Sequence, residues 1–212
     1  MKIKYFGHSC FLIENLLVDP FIINNPHLEM ELDSVKCDIV CVTHDHADHL
    51  GDAFQIAEQN NATIVAIHEI SELASSKGLK SEGMNIGGRI RIGDWDIKMV
   101  DALHSSGIGH PAGFILKNTK EGKTIYHAGD TGLFGDMSLI GDAGIDIAIL
   151  PVGDRYTMGT EDAIKAVELI KPRIVVPMHY GTFPVINSSP EEFEKKCPIR
   201  VEVFDIEEEK NL

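Results

Sequence analysis

Residues 44–49, His-Asp-His-Ala-Asp-His, place three imidazoles and two carboxylates in six consecutive positions. Neutral imidazole and carboxylate suit borderline and hard divalent cations, so Zn, Mn, Fe and Ni all fit this set. No cysteine lies among them, which argues against a thiolate-rich structural zinc site. His44, His46, Asp48 and His49 share neither one face of a helix nor one face of a strand. The motif therefore reads as a loop curled around a point, with two residues able to serve one ion and two another. Asp45 reads as an exposed or supporting residue rather than a ligand.

His104, Asp130 and His179 are the later candidates. Each candidate follows a short apolar run: 39–43 before His44, 97–103 before His104, 124–129 before Asp130 and 174–178 before His179. Ligands at strand ends can converge on one edge of a sheet, where loops carry function on a rigid scaffold. Asp130 could bridge two ions, because a carboxylate has two oxygens with lone pairs. His8 reads two ways, as a proton donor or substrate-binding group, or as the stay of a turn between the first two strands. Arg155, in a glycine-flanked loop over 153–159, could grip a phosphate or carboxylate of the substrate, or pair with Asp154. His127 reads as structural or supporting, and His27, His68 and His110 as surface or loop residues.

The elements that must position these groups are short. Strands are expected over 3–6, 10–14 and 16–19, joined by tight turns, with 21–35 irregular. Residues 39–43 read as a strand buried on both faces, 50–59 as a helix, 63–67 as a strand and 69–76 as a helix stopping at Gly78. Two hairpins follow, 89–92 with 96–100 and 113–117 with 123–126, then buried runs over 145–150 and 174–176. Thr160 is expected to N-cap a helix ending near Ile170, with Glu161 and Asp162 in its first turn. Ser189, Pro190 and Glu192 form the pattern of a capping box at the last helix. Residues 199–204 read as a closing strand and the acidic tail as trailing off. Strands then helices recur in two pseudo-symmetric halves, about 1–78 and 84–212, of a single α/β domain over 1–212 with two sheets packed together and helices outside.

The chain has 212 residues, 43% hydrophobic and 25% charged, the composition of a globular protein with a full core. A formal net charge of −14 disfavours nucleic acid as a partner. No stretch approaches the run of about 20 apolar residues that a membrane span needs. The four cysteines, at 10, 37, 41 and 197, form no C-x-x-C pair and read as reduced, mostly buried thiols. With an opening that lacks a signal-peptide core, these features lead to the expectation of a cytoplasmic protein. The metal charge and Arg155 point to a small-molecule substrate of anionic character, and exposed sheet edges leave room for a homo-oligomer.

Thr43-His44-x-His46-x-Asp48-His49, followed in order by His104, Asp130 and His179, resembles the metallo-β-lactamase superfamily over residues 1 to about 182. The opening Gly7-His8-Ser9-Cys10-Phe11-Leu12-Ile13, with Leu17-Val18-Asp19-Pro20, is similar to a group of metal-dependent hydrolases related to the L-ascorbate-6-phosphate lactonases. The resemblance implies a four-layer αββα sandwich and a dinuclear site. On it, His44, His46 and His104 would hold one metal, Asp48, His49 and His179 the other, with Asp130 bridging and Asp19 supporting. It implies a hydrolase in which a metal-bridged hydroxide attacks an ester, lactone or phosphodiester bond, with two divalent ions per chain, Zn or Mn foremost and Fe or Ni compatible. The alternatives are a di-iron redox or sulfur-oxidising member of the superfamily, or a metal-binding protein without turnover. The superfamily's di-iron flavoproteins carry Glu where this chain has His46.

Overall fold

In the computed structural model, which describes residues 1–212, the apolar runs become strands whose C-terminal ends carry the candidate ligands. The chain divides into two compact units: Met1–Asn85 with Ser105–Pro111 and Phe204–Leu212, and Ile86–His104 with Ala112–Val203.

The first unit opens with β1 (Lys2–Gly7), β2 (Cys10–Ile13) and β3 (Leu16–Val18), an antiparallel meander. It continues with β4 (Ile39–Cys41), β5 (Thr63–Ile67) and β6 (Ser81–Met84), which add in parallel. Parallel neighbours need crossovers. Helix α1 (Ala53–Asn60) supplies the one between β4 and β5, and α2 (His68–Ser76) the one between β5 and β6. All three residues of β4 are buried, as its unbroken apolar run requires. Residues 21–35 are irregular apart from a single 3-10 turn at Leu32–Ser34.

The second unit repeats the pattern. Strands β7 (Arg89–Ile92), β8 (Trp95–Asp101), β9 (Ala112–Asn118) and β10 (Lys123–His127) are antiparallel. Strands β11 (Ile147–Pro151), β12 (Ile174–Met178) and β13 (Arg200–Val201) then add in parallel. Their crossovers carry α3 (Met137–Gly141), α4 (Thr160–Ile170) and α5 (Pro190–Lys196). Trp95, Phe114 and Tyr126, from three adjacent strands, are among the largest fully buried side chains. The chain then rejoins the first sheet as β14 (Glu209–Asn211), antiparallel to β1, and Leu212 accepts a hydrogen bond from the N-terminal amine at 3.1 Å. Each sheet thus has seven strands, in the orders β14-β1-β2-β3-β4-β5-β6 and β13-β12-β11-β10-β9-β8-β7. No helix is long and apolar enough to cross a membrane.

Several local expectations shift. Strands β6 and β14 and helix α3 were not legible as elements. Helix α1 begins at Ala53 rather than 50, because Asp52 N is taken by Pro20 O at 2.8 Å while its carboxylate accepts from Ile22 N and Ile23 N. Thr160 lies inside α4, and Gly159 is its N-cap. A Cβ at 159 would stand 2.9 Å from Asp154 Oδ1, so the chain enters this helix through a residue without a side chain. Ser189 does cap α5, accepting from Glu192 N at 3.2 Å, but the Glu192 carboxylate meets Lys196 at 2.6 Å instead of closing a capping box. The expected strand over 199–204 is only Arg200–Val201, and Phe204 belongs to the first unit.

Candidate metal centre

The parallel register of β3 and β4, with Val18 opposite Cys41, brings Asp19 beside Thr43. Asp19 is fully buried. Its Oδ1 accepts from Thr43 N at 2.8 Å, and its Oδ2 accepts from Thr43 Oγ1 at 2.7 Å and lies 2.8 Å from His49 Nδ1. These contacts set two tautomers. The His49 proton sits on Nδ1, so the nitrogen it could offer a metal is Nε2. The Thr43 hydroxyl, donating to Asp19, accepts from His44 Nδ1 at 3.0 Å, so His44 too is left with Nε2 to offer a metal. His44 Nε2 lies 2.9 Å from His46 Nδ1. Two nitrogens on one ion, with bonds of about 2.0–2.1 Å, stand about 3 Å apart, so the pair is spaced for a shared cation.

The motif loop turns at His46, whose carbonyl accepts from His49 N and Leu50 N, both at 2.9 Å. A Cβ at Gly51 (φ +38°) would lie 2.3 Å from Pro20 O, so glycine is required where this loop meets the one after β3. His8 follows β1 and is buried, its Nε2 3.0 Å from Asp48 Oδ2. Ligand atoms of His8, Asp48 and His49 all lie within 4.8 Å of one another. Asp45 points elsewhere: its Oδ1 accepts from Ser106 Oγ and Gly107 N, both at 2.8 Å, tying down the 105–111 segment.

In the second unit the carboxylate of Asp130 stands between two imidazoles. Its Oδ2 is 2.9 Å from His179 Nε2 and 3.6 Å from His104 Nε2, and all three side chains are at most 10% exposed. The turn leading to Asp130 is held by Gly129 N donating to His127 Nδ1 at 3.2 Å, the supporting role expected of His127. Beyond it, buried Thr131 joins three loops. Its Oγ1 accepts from Leu103 N at 2.9 Å and donates to Gly132 O at 2.8 Å, and its carbonyl accepts from Met158 N at 3.0 Å. Gly132 N returns a bond to Leu103 O, so the residue before His104 is pinned on both sides. At the end of β11, Gly153 packs on His179: a Cβ there would stand 2.1 Å from His179 O and 3.1 Å from Nδ1.

His8, Asp19 and His179 all have positive φ, +56°, +46° and +57°. Such strain in non-glycine residues persists where the surroundings impose it, and it gathers at functional sites. Arg155 is exposed, its guanidinium 5.7 Å from the Tyr156 ring. His27, His68 and His110 are exposed, as expected. Thr43, Asp52 and Thr131 were not singled out from sequence. Their one signal is adjacency: Thr43 to His44, Thr131 to Asp130, and Asp52 to the Gly51 turn.

The donor set fits divalent cations. His44, His49, Asp130 and His179 are buried and His46, Asp48 and His104 partly so, two imidazole tautomers are fixed by carboxylate and hydroxyl partners, and no thiol takes part. Burial raises the Cys10 and Cys41 thiols well above their ordinary value and Cys37 to about 12, which keeps them protonated and poor ligands.

A family model described as the beta-lactamase superfamily domain matches residues 2–179. A metal-dependent hydrolase from Pelotomaculum thermopropionicum is 46% identical over 208 residues, 92% of this chain and 90% of that protein. One from Methanocaldococcus jannaschii is 48% identical over 204 residues, 92% of this chain and 91% of that protein. Among solved structures, Igni18, a metallo hydrolase from the hyperthermophilic archaeon Ignicoccus hospitalis, superposes with a TM-score of 0.91 at 39% identity, covering 99% of this chain and 97% of that one. The two mixed sheets flanked by helices are those of the α/β metallo-β-lactamase fold, as the sequence implied.

Proposed function

As a member of the metallo-β-lactamase superfamily this chain is a metal-dependent hydrolase, and we propose that it uses two divalent ions, Zn or Mn, to cleave an ester, lactone or phosphodiester bond of a small substrate. On the superfamily motif, His44, His46 and His104 would hold one ion and Asp48, His49 and His179 the other, with Asp130 shared. The observation that carries this reading is the position of Asp130, whose Oδ2 faces His104 and His179, imidazoles that the motif gives to different ions. Bound there, the ions would supply Lewis acidity, acidifying water to near neutral pH and polarising the substrate oxygen that gains charge.

The protein's own work is placement. Asp19 holds the proton of His49 on Nδ1 and Thr43 that of His44, so both present Nε2 with no tautomer exchange on binding. Thr131 keeps the approaches to His104 and Asp130 in fixed relation. Arg155, exposed on its loop, offers a cation to an anionic group of the substrate. Residues 1–212 act as one hydrolase domain, and its free thiols, buried at Cys10, Cys37 and Cys41, suit the cytoplasm.

The test is a hydrolysis screen. Chelator-stripped protein is reloaded separately with Zn²⁺ and Mn²⁺ and offered chromogenic phosphodiesters, lactones and thioesters, with His44→Ala as control. Metal-dependent turnover of one class, absent in the control, is expected. Turnover with metal demonstrably absent, or two bound metals and silence across the panel and its extensions, would overturn the reading.

A further inference from the structure

We infer that His8 is itself a metal ligand, its Nε2 joining Asp48 and His49 on one ion. The inference rests on the two-metal reading above and adds a ligand outside the His-x-His-x-Asp-His motif. Three observations support it. The first is convergence. His8 Nε2 is 3.0 Å from Asp48 Oδ2, the spacing of neighbouring ligand atoms on one ion, and the His8, Asp48 and His49 donors all lie within 4.8 Å of one another. A residue that merely oriented the carboxylate would need to approach Asp48 but not His49.

The second is access. The His8 side chain is wholly buried while that of Asp48 is 28% exposed. A group that protonates a leaving group must meet a substrate arriving from solvent. The His8 ring instead turns its outer nitrogen onto a ligand carboxylate, with its faces and edges against Phe21 and His49 at 5.8 and 5.5 Å between centroids. The third is backbone strain. His8 has φ +56°, in the left-handed region, and Tyr5 OH donates to its carbonyl at 3.2 Å. A turn alone would be served with less strain by glycine, and Gly7 precedes it. Strain at His8 places an imidazole, as at His179.

The consequence is chemical. An ion that gains His8 has a more crowded protein shell and less coordination space for water than the motif alone provides. Its preference moves from tetrahedral Zn²⁺ toward ions that accept five or six ligands.

The experiment uses the full chain loaded with Co²⁺ and labelled with ¹⁵N in its imidazoles. The variants are His8→Asn, which tolerates a left-handed backbone, and His8→Gly, which relieves it, each checked for folding by circular dichroism. Chelator competition gives the affinity of each metal, and NMR counts the contact-shifted ring N–H signals that only ligating imidazoles show. Wild-type protein should bind two metals. Both variants should lose one contact-shifted N–H and weaken one metal by more than the about 10–100-fold typical of losing a hydrogen-bonded partner of a ligand, with the other metal changed only a few-fold. An unchanged count of shifted signals, with or without weaker binding, overturns the inference while leaving the two-metal reading intact. Fewer than two metals in the wild type overturns both.

Discussion

Asp19 has no solvent exposure, and the groups that converge on it decide which ring nitrogen of His49, and through Thr43 of His44, is left to face a metal. Asp19→Asn keeps the shape but replaces one accepting oxygen with a donor that opposes Thr43 or His49. Metal affinity should fall about 10–100-fold, measured by chelator competition, while the apo protein remains folded. Thr131 makes a parallel case in the second unit. Thr131→Val removes the acceptor for Leu103 N, a part-buried hydrogen bond, at a cost of about 1 kcal/mol. Thr131→Ser should restore most of that loss. If the role includes holding His104, the melting-temperature gain on adding metal should shrink in Thr131→Val and recover in Thr131→Ser. Gly153→Ala drives a methyl group into the backbone oxygen of His179, which cannot move without moving a candidate ligand. It should lower metal occupancy even where the variant still folds, as read by metal analysis of the purified protein.

At the scale of elements, the clearest liability is the outer edge of β1, which β14 covers. Phe204, 4% exposed, leads into β14 and packs edge-on against Tyr5 and Phe11, with centroids 6.4 and 6.3 Å apart. Phe204→Ala should cost about 3–5 kcal/mol, seen in urea unfolding, and should promote association through the loosened edge. None of this was legible from the residues alone. Glu207, Glu208 and Glu209 read as a solvated tail because edge strands need no apolar alternation when the partner backbone supplies their order. Strand β6, Ser-Glu-Gly-Met, hid for the same reason. By contrast, β4, β11 and β12 were plain, since a strand buried on both faces must be apolar throughout. The candidate ligands were legible because few roles other than metal binding call for three histidines and two aspartates in six positions. Of their supports, Asp19 was placed by the resemblance alone, and Thr43 and Thr131 were not, because they act through contacts between distant segments that spacing cannot reveal.

For the whole molecule, the buried thiols set an alkaline limit. Burial raises Cys10 and Cys41 well above the ordinary 9.0, and raises Cys37 to about 12, with Asp38 adding to the effect. The unfolded chain sheds these protons above about pH 9, whereas the folded one retains them. Their contribution is therefore intact below pH 9 and declines as pH rises, through about 12 for Cys37, at up to about 1.4 kcal/mol per pH unit per thiol. Melting temperature should fall from pH 9 to 10.5, and Cys41→Ala should show a shallower slope whatever its absolute stability. The junction of β1 with β14 bears on a different property, the order in which the molecule can assemble. Residues separated by 211 positions meet there, so the first sheet cannot finish until the entire second sheet has been threaded between its strands in sequence. Such distant pairing delays its reward until a long loop has closed. Refolding should therefore show protection of β1 amides arriving after that of β8, β9 and β10, in pulsed hydrogen exchange. Simultaneous protection would mean that the ends of the chain find each other early.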